Sequence, residues 1–253
     1  MKTDMIKKRI KIYGERNAGT KYLVKLVRLN FDVFILRGGA RHSFVPSFLR
    51  KTEAAKDLFF RITFSQNLGW KHAIAPDPAY LKKMRIYSND LLFLTISKNP
   101  YSWLLSLFRR AYHQKKKMDS FEDFLTTPWE TVARERSRKE FENPIVMWNE
   151  KNRSYLDLNR DGIACMNLKY EDLLKDPKKV IEGIISTYSI RRKQDYFMNC
   201  LISTKDKGKK DYNYYRKYYL QEQWREKLDT NIINIINKYL DAEIMERFDY
   251  KRL

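Results

Sequence analysis

Arg9 to Tyr13 (Arg-Ile-Lys-Ile-Tyr) alternates polar and apolar side chains and stops at Gly14, the period-two pattern of a strand that runs into a loop. From Thr20 to Leu29 the apolar residues Tyr22, Leu23, Leu26, Val27 and Leu29 recur at helical spacing, so the first unit reads strand, loop, helix. Phe31 to Leu36 predicts a second strand, closed by a turn at Gly38-Gly39. Leu91 to Ile96 is apolar throughout, as a strand buried on both faces of a parallel sheet must be. Asn99-Pro100 then opens a helix reaching to about Tyr112, with Pro at the first helical position, where a missing N–H is no loss. Ile163 to Leu168 followed by Pro177 to Tyr188 repeats the unit a third time. This alternation predicts an α/β fold, a parallel sheet flanked by helices in one domain over 1–253. Phe121 to Leu125 and Asn143 to Leu158 predict a helical lobe over the sheet edge. Ser203 to Lys217 is crowded with Lys and Tyr, has no apolar periodicity and predicts a mobile loop, after which Tyr219 to Leu240 is helical.

Composition sharpens this picture. With 43% apolar residues in 253, the chain can bury a sizeable core, which excludes wholesale disorder. Lys and Arg number 51 against 31 Asp and Glu, a formal charge of +20. That excess favours polyanionic partners: nucleic acid, phosphorylated nucleotides, acidic polysaccharide or anionic lipid. Two cysteines, Cys165 and Cys200, cannot make a multi-bridge framework, and the basic N-terminus has no apolar segment behind it. The expectation is a soluble protein of a reducing compartment, the cytoplasm.

Two loops carry candidate chemistry. Gly14-Glu15-Arg16-Asn17-Ala18-Gly19-Thr20-Lys21 lies between a strand and a helix, where small residues let backbone N–H groups approach a phosphate at the helix N-terminus. It is not a Walker A loop, because the order here is Gly19-Thr20-Lys21 rather than Gly-Lys-Ser/Thr. The second loop sets Lys98 at the carboxyl end of the apolar strand, with Ser106 eight residues on along the next helix. Ligands of open α/β sheets bind beyond such strand ends, so Lys98 and Ser106 can converge on a second anionic group.

Together these loops resemble those of sulfotransferases that use 3′-phosphoadenosine-5′-phosphosulfate (PAPS). Ala18-Gly19-Thr20 matches the family's 5′-phosphosulfate loop, and Lys98-Asn99-Pro100 with Ser106 matches its 3′-phosphate segment in order and spacing. Leu168-Lys169-Tyr170-Glu171-Asp172-Leu173 also resembles a family segment. Tyr13 to Thr20 and Gly69-Trp70-Lys71-His72 look like a bacterial and viral branch. The resemblance implies a P-loop-like fold and a PAPS donor without a metal. It implies donor contacts from Arg16, Asn17, Ala18, Gly19, Thr20, Lys21, Lys98, Ser106 and Arg216, with His72 as base and Lys71 as a charge-spreading cation. Asn17 stands where the family usually has a cation, and Lys98 replaces an Arg, keeping charge but losing the bidentate fork. His72 is expected just after a short strand; His42 and His113 have no such context.

The implied acceptor is a hydroxyl or amine of a small molecule, a glycan or a lipid headgroup, with peripheral contact to anionic surfaces and no specific nucleic acid. Two other classes stay open. A P-loop kinase of a small molecule would need magnesium and an Asp after a core strand, and none follows Leu91 to Ile96 directly. A non-enzymatic nucleic-acid binder would stack bases on Tyr212, Tyr214, Tyr215, Tyr218 and Tyr219, which read equally well as a ligand-closing loop or as packing.

Overall fold

Along the chain the elements run β1 (Arg9–Tyr13), α1 (Thr20–Asn30), β2 (Phe34–Ile35), α2 (Glu53–Ile62), α3 (Phe64–Asn67), α4 (Pro78–Lys82), β3 (Leu91–Ser97), α5 (Pro100–Phe108), α6 (Phe121–Thr126), β4 (Trp129–Glu130), β5 (Glu140–Phe141), α7 (Pro144–Asp157), β6 (Cys165–Lys169), α8 (Tyr170–Lys175), α9 (Pro177–Tyr188), α10 (Tyr212–Leu220), α11 (Thr230–Tyr239) and α12 (Ala242–Arg247). The computed structural model describes residues 7–40, 52–114, 118–202 and 210–253.

The main sheet is four-stranded in the order β2-β1-β3-β6, and every pairing is parallel. β3 is buried at all seven positions, as its unbroken apolar sequence demands of an interior strand. Alternation sorts its side chains. Leu92, Leu94 and Ile96 join Ile10 and Ile12 in the larger core, while Leu91 and Phe93 join Tyr13 in the smaller one on the other face. Truncating Leu94 to Ala would cost about 2–5 kcal/mol.

The register places the site. Tyr13 pairs with Thr95, and Ser97 with Lys169, so β1, β3 and β6 finish along one edge. The loop from Gly14, residue Lys98 and helix α8 all leave from that edge. α5 starts as its sequence predicts: Pro100 is in the first turn, and the Asn99 side chain accepts from the Tyr101 N–H at 3.1 Å. It ends at Phe108, short of Tyr112.

Two expectations are corrected. The strand expected over Phe31 to Leu36 shrinks to Phe34–Ile35: Phe31 leaves the sheet to bridge Arg192, the Phe34 N–H bonds to the Lys8 carbonyl just before β1, and the Leu36 N–H bonds to that of Ile10. The mobile loop expected over Ser203 to Lys217 instead runs into α10 from Tyr212: Asp211 caps it by accepting from the Tyr214 N–H at 2.8 Å, and farther along the same helix Tyr219 is buried. The rest of that segment, 203–209, lies outside the described residues. Cys165 and Cys200 are separate thiols. Among the described residues no helix is long and apolar enough to cross a membrane.

Candidate functional site

The loop after β1 is shaped by its glycines. A Cβ on Gly14 would lie 2.5 Å from Ile96 Cγ2 and 2.6 Å from the Ile96 carbonyl oxygen, so the loop can cross the end of β3 only without a side chain there. Gly19 has φ 92°, and a Cβ on it would run into the Tyr170 ring. Asn17 also takes a left-handed φ, 65°. α1 begins at Thr20 with no side-chain cap and no acidic residue in its first turn, which leaves the positive end of the helix dipole to whatever the loop holds. Ala18 is buried, its N–H donates to the Glu15 carbonyl at 3.2 Å, and, unlike its neighbours Asn17 and Gly19, it does not line the cleft beside the loop. Arg16 turns its guanidinium between two aromatic rings, 4.0 Å from the Tyr112 centroid and 4.9 Å from that of Trp70. Its Nη2 lies 3.1 Å from His113 Nε2, and its buried Nε has no hydrogen-bond partner among the described residues. Burial and the charge of Arg16 push the His113 pKa down to about 4, so its ring is neutral and accepts from Arg16.

At the end of β3, Lys98 is 1% exposed, and its Nζ donates to Ser106 Oγ at 2.9 Å. The Ser106 hydroxyl donates to the Ser102 carbonyl at 2.9 Å, so the serine oxygen is an acceptor toward Lys98. Burial lowers the Lys98 pKa, against the influence of Tyr219 and Glu171. The Lys-Tyr-Glu-Asp segment after β6 supports this corner. Glu171 accepts from the Asn99 N–H at 3.0 Å and from the Tyr250 hydroxyl at 3.0 Å, and the Tyr170 ring packs edge-on to Tyr219 with centroids 5.3 Å apart.

His72 does not follow a strand, contrary to expectation. Phe64–Asn67 is helical, Leu68 and Gly69 take φ of 59° and 80°, and residues 71–73 form a turn. Leu68 and Gly69 in left-handed backbone cannot continue a ladder, and β1 holds this turn mostly by side chains. Lys11 donates to the carbonyls of Asn67 (2.6 Å) and Gly69, and the Tyr13 hydroxyl donates to that of Leu68 at 2.5 Å. The Gly14 N–H donates to the Lys71 carbonyl at 3.0 Å, and His72 Nδ1–H donates to the Gly14 carbonyl at 2.6 Å. A carbonyl can only accept, so the proton sits on Nδ1 and Nε2 keeps its lone pair. Burial, then the positive charge of Lys71, holds the His72 pKa well below the ordinary histidine value, so the ring is neutral at neutral pH. Lys71 is lowered to about 8 by burial and by Lys21, Arg16 and Arg28.

These groups meet at one cleft of about 460 Å³. Arg16, Asn17, Gly19, Thr20, Lys21, Lys71, His72 and Ser106 all line it. Lys98 lies just behind Ser106, outside the lining. Arg216 does not line it: it is exposed on α10, and Arg109, Arg110 and Lys210 supply cations instead. No Asp or Glu is among the lining residues. The sequence reading missed Trp70, Arg109, Arg110 and Tyr112, although the two arginines, three and four residues past Ser106, could have been found by helical spacing. It also missed the buried Glu15, whose carboxylate is held by Lys151 and by the Tyr112 hydroxyl at 2.8 Å. His42 lies outside the described residues. Among the described residues no three His, Cys, Asp or Glu side chains gather as a metal-ion cluster.

No family model and no curated protein matches the sequence. Solved structures do match. A sulfotransferase from Alicyclobacillus acidocaldarius is 13% identical, with 98% of each chain covered and a TM-score of 0.51. A mouse sulfotransferase complexed with PAP is 11% identical over 96% of this chain and 86% of that one, with a TM-score of 0.50. At such identities the likeness is one of architecture, and by its parallel sheet and flanking helices the chain has the sulfotransferase fold.

Proposed function

We propose that the protein transfers the sulfuryl group of PAPS to a hydroxyl or amine acceptor. One observation carries the reading: an uncapped helix N-terminus at Gly19-Thr20, the buried Lys98–Ser106 pair and a neutral histidine are grouped at the same edge of the sheet, around a cleft without carboxylates. A donor with a 5′-phosphosulfate and a 3′-phosphate needs two anion sites, and the ends of the adjacent strands β1 and β3 offer two. That the mouse relative was solved with PAP supports the same choice of nucleotide. The likeness of Tyr13 to Thr20 to a bacterial and viral branch belongs to this proposal too.

Gly19 and Thr20 hold the 5′-phosphosulfate by backbone N–H groups, with Arg16, Lys21 and Lys71 spreading the charge that grows on the leaving phosphate. Lys98 and Ser106 hold the 3′-phosphate. His72 Nε2 takes the acceptor proton as the new bond to sulfur forms and the bond from sulfur to the 5′-phosphate oxygen breaks, leaving adenosine 3′,5′-bisphosphate. The Gly14 carbonyl steadies the imidazolium that results.

Adenosine 3′,5′-bisphosphate should raise the melting temperature, and should do so in EDTA, since these anion contacts come from the protein. Stabilisation by ATP with magnesium and none by the bisphosphate would establish a kinase instead. His72→Ala should lower turnover by about 10²- to 10⁴-fold with bisphosphate affinity kept. In the wild type the acid limb of activity should fall below pH 6.5, because the His72 pKa is depressed; the variant should lose that limb.

A further inference from the structure

Lys98 sits in the interior with a charge and, among the described residues, no carboxylate in ion-pair contact. Its ammonium is instead covered by an aromatic side chain from a distant part of the sequence. Tyr219, on α10, lays its ring over Lys98 Nζ at 3.9 Å from the centroid, and its hydroxyl is 3.3 Å from Ser106 Oγ. Because the Ser106 hydroxyl donates to the Ser102 carbonyl, the Tyr219 hydroxyl is the donor in that contact. A phenol oxygen and a π face thus meet the hydrogen-bonding pair that a phosphate oxygen would meet.

Tyr219 lines the cleft, Ser106 lines it beside Tyr219, and Lys98 is behind both. A phosphate arriving through the cleft reaches Ser106 directly, but reaches the ammonium only where the phenol now lies. Tyr219 itself is 7% exposed, and it is held in place by the edge contact with Tyr170 and by stacking on Tyr215, with centroids 6.3 Å apart. Burial works to raise the Tyr219 pKa, and the charge of Lys98 beside it outweighs burial, so the phenol is tuned by the cation it covers.

Building on the proposed nucleotide site, we propose that Tyr219 is an internal occupant of the Lys98–Ser106 anion site and competes with the nucleotide's 3′-phosphate for it. Binding of a 3′-phosphorylated nucleotide displaces the Tyr219 side chain. The cation–π attraction between that ring and Lys98, given up in the exchange, sets how strongly the protein distinguishes nucleotides with and without a 3′-phosphate. Tyr212 and Tyr215, on the same helix, also line the cleft, so the displacement reaches the rest of the site through α10.

Calorimetric titration of adenosine 3′,5′-bisphosphate and adenosine 5′-phosphate into the wild type, Tyr219→Ala, Tyr219→Phe, Lys98→Ala and the Lys98→Ala/Tyr219→Ala double variant tests this. Tyr219→Ala should bind the bisphosphate about tenfold more tightly while its affinity for the monophosphate is unchanged. In the Lys98→Ala background the same change should have no effect on the ratio of the two affinities. Tyr219→Phe keeps the ring over Lys98 and should gain less than Tyr219→Ala; it also serves if the alanine variant does not fold. Bisphosphate affinity that falls in Tyr219→Ala would make Tyr219 a ligand rather than a competitor, and a wild-type ratio in both Tyr219 variants would remove it from the site. Either result overturns the proposal while the nucleotide reading stands. Failure of every one of these proteins to bind the bisphosphate overturns both.

Discussion

Among the described residues three lysines, Lys11, Lys98 and Lys151, are buried; Lys11 donates to backbone carbonyls, and the surroundings of the other two are opposite. Lys151, on α7, donates to the carboxylates of Glu15 and Glu135 and to the His72 carbonyl at 3.0 Å. Burial pulls its pKa down, but the two carboxylates outweigh that and raise it. Lys98, on the cleft side, meets a serine oxygen and two aromatic rings, and burial lowers its pKa. A buried charge compensated by the protein's own carboxylates acts as a strut, here tying Glu15, in the loop after β1, to the turn that carries His72. A buried charge left without a carboxylate is a position at which an incoming anion recovers the cost of desolvation.

The contrast is broken most severely by Lys151→Met. It leaves Glu15 and Glu135 buried as unpaired like charges, and should cost about 3–5 kcal/mol, a fall in melting temperature on the order of 10 °C. Lys98→Met should leave the melting temperature level or higher, since it removes a buried charge without a carboxylate partner. The same variant should weaken the bisphosphate by about 1.5–3 kcal/mol and leave adenosine 5′-phosphate unaffected. Equal thermal losses in the two variants, read by calorimetry, would mean that both lysines are structural. A smaller effect concerns Lys71, whose pKa is lowered to about 8 by burial. It is a cation below that pH and neutral above it, so affinity for adenosine 5′-phosphosulfate should drop about fivefold as pH rises through 8. Lys71→Met should flatten that profile; an unchanged profile would assign the titration to another group.

How legible each part was follows from how local its causes are. β1, β3 and α5 are written in consecutive residues: an alternating run, an unbroken apolar run, and an Asn-Pro start. The loop from Gly14 to Lys21 and the Lys98–Ser106 spacing depend on neighbours within a turn or two, so the sequence marks both as candidate anion-binding segments before any coordinates do. The segment before His72 is different. Its shape comes from Lys11, Tyr13 and Gly14, more than fifty positions away, and consecutive residues alone do not reveal a turn stabilised by distant donors. α10 was hidden for another reason. Its buried side is tyrosine rather than Leu or Ile, so only Tyr212, Tyr215 and Tyr219 mark the helical period, with Asp211 as the cap. The strut could not be seen at all, because Glu15, Glu135 and Lys151 have no shared spacing.

Gly14 has one more consequence. It accepts from His72 Nδ1 and donates to the Lys71 carbonyl, while its own chain continues directly into the turn before α1. The His72 imidazole and the loop from Gly14 to Lys21 are therefore fastened to a single residue rather than to two walls of the cleft. Breathing of the helical lobe or of α10 can widen the entrance and still leave the spacing between the imidazole and the loop unchanged. Thermal expansion and crystal strain should act on the mouth of the cleft and spare the alignment of imidazole and loop, a form of mechanical insulation built from two hydrogen bonds.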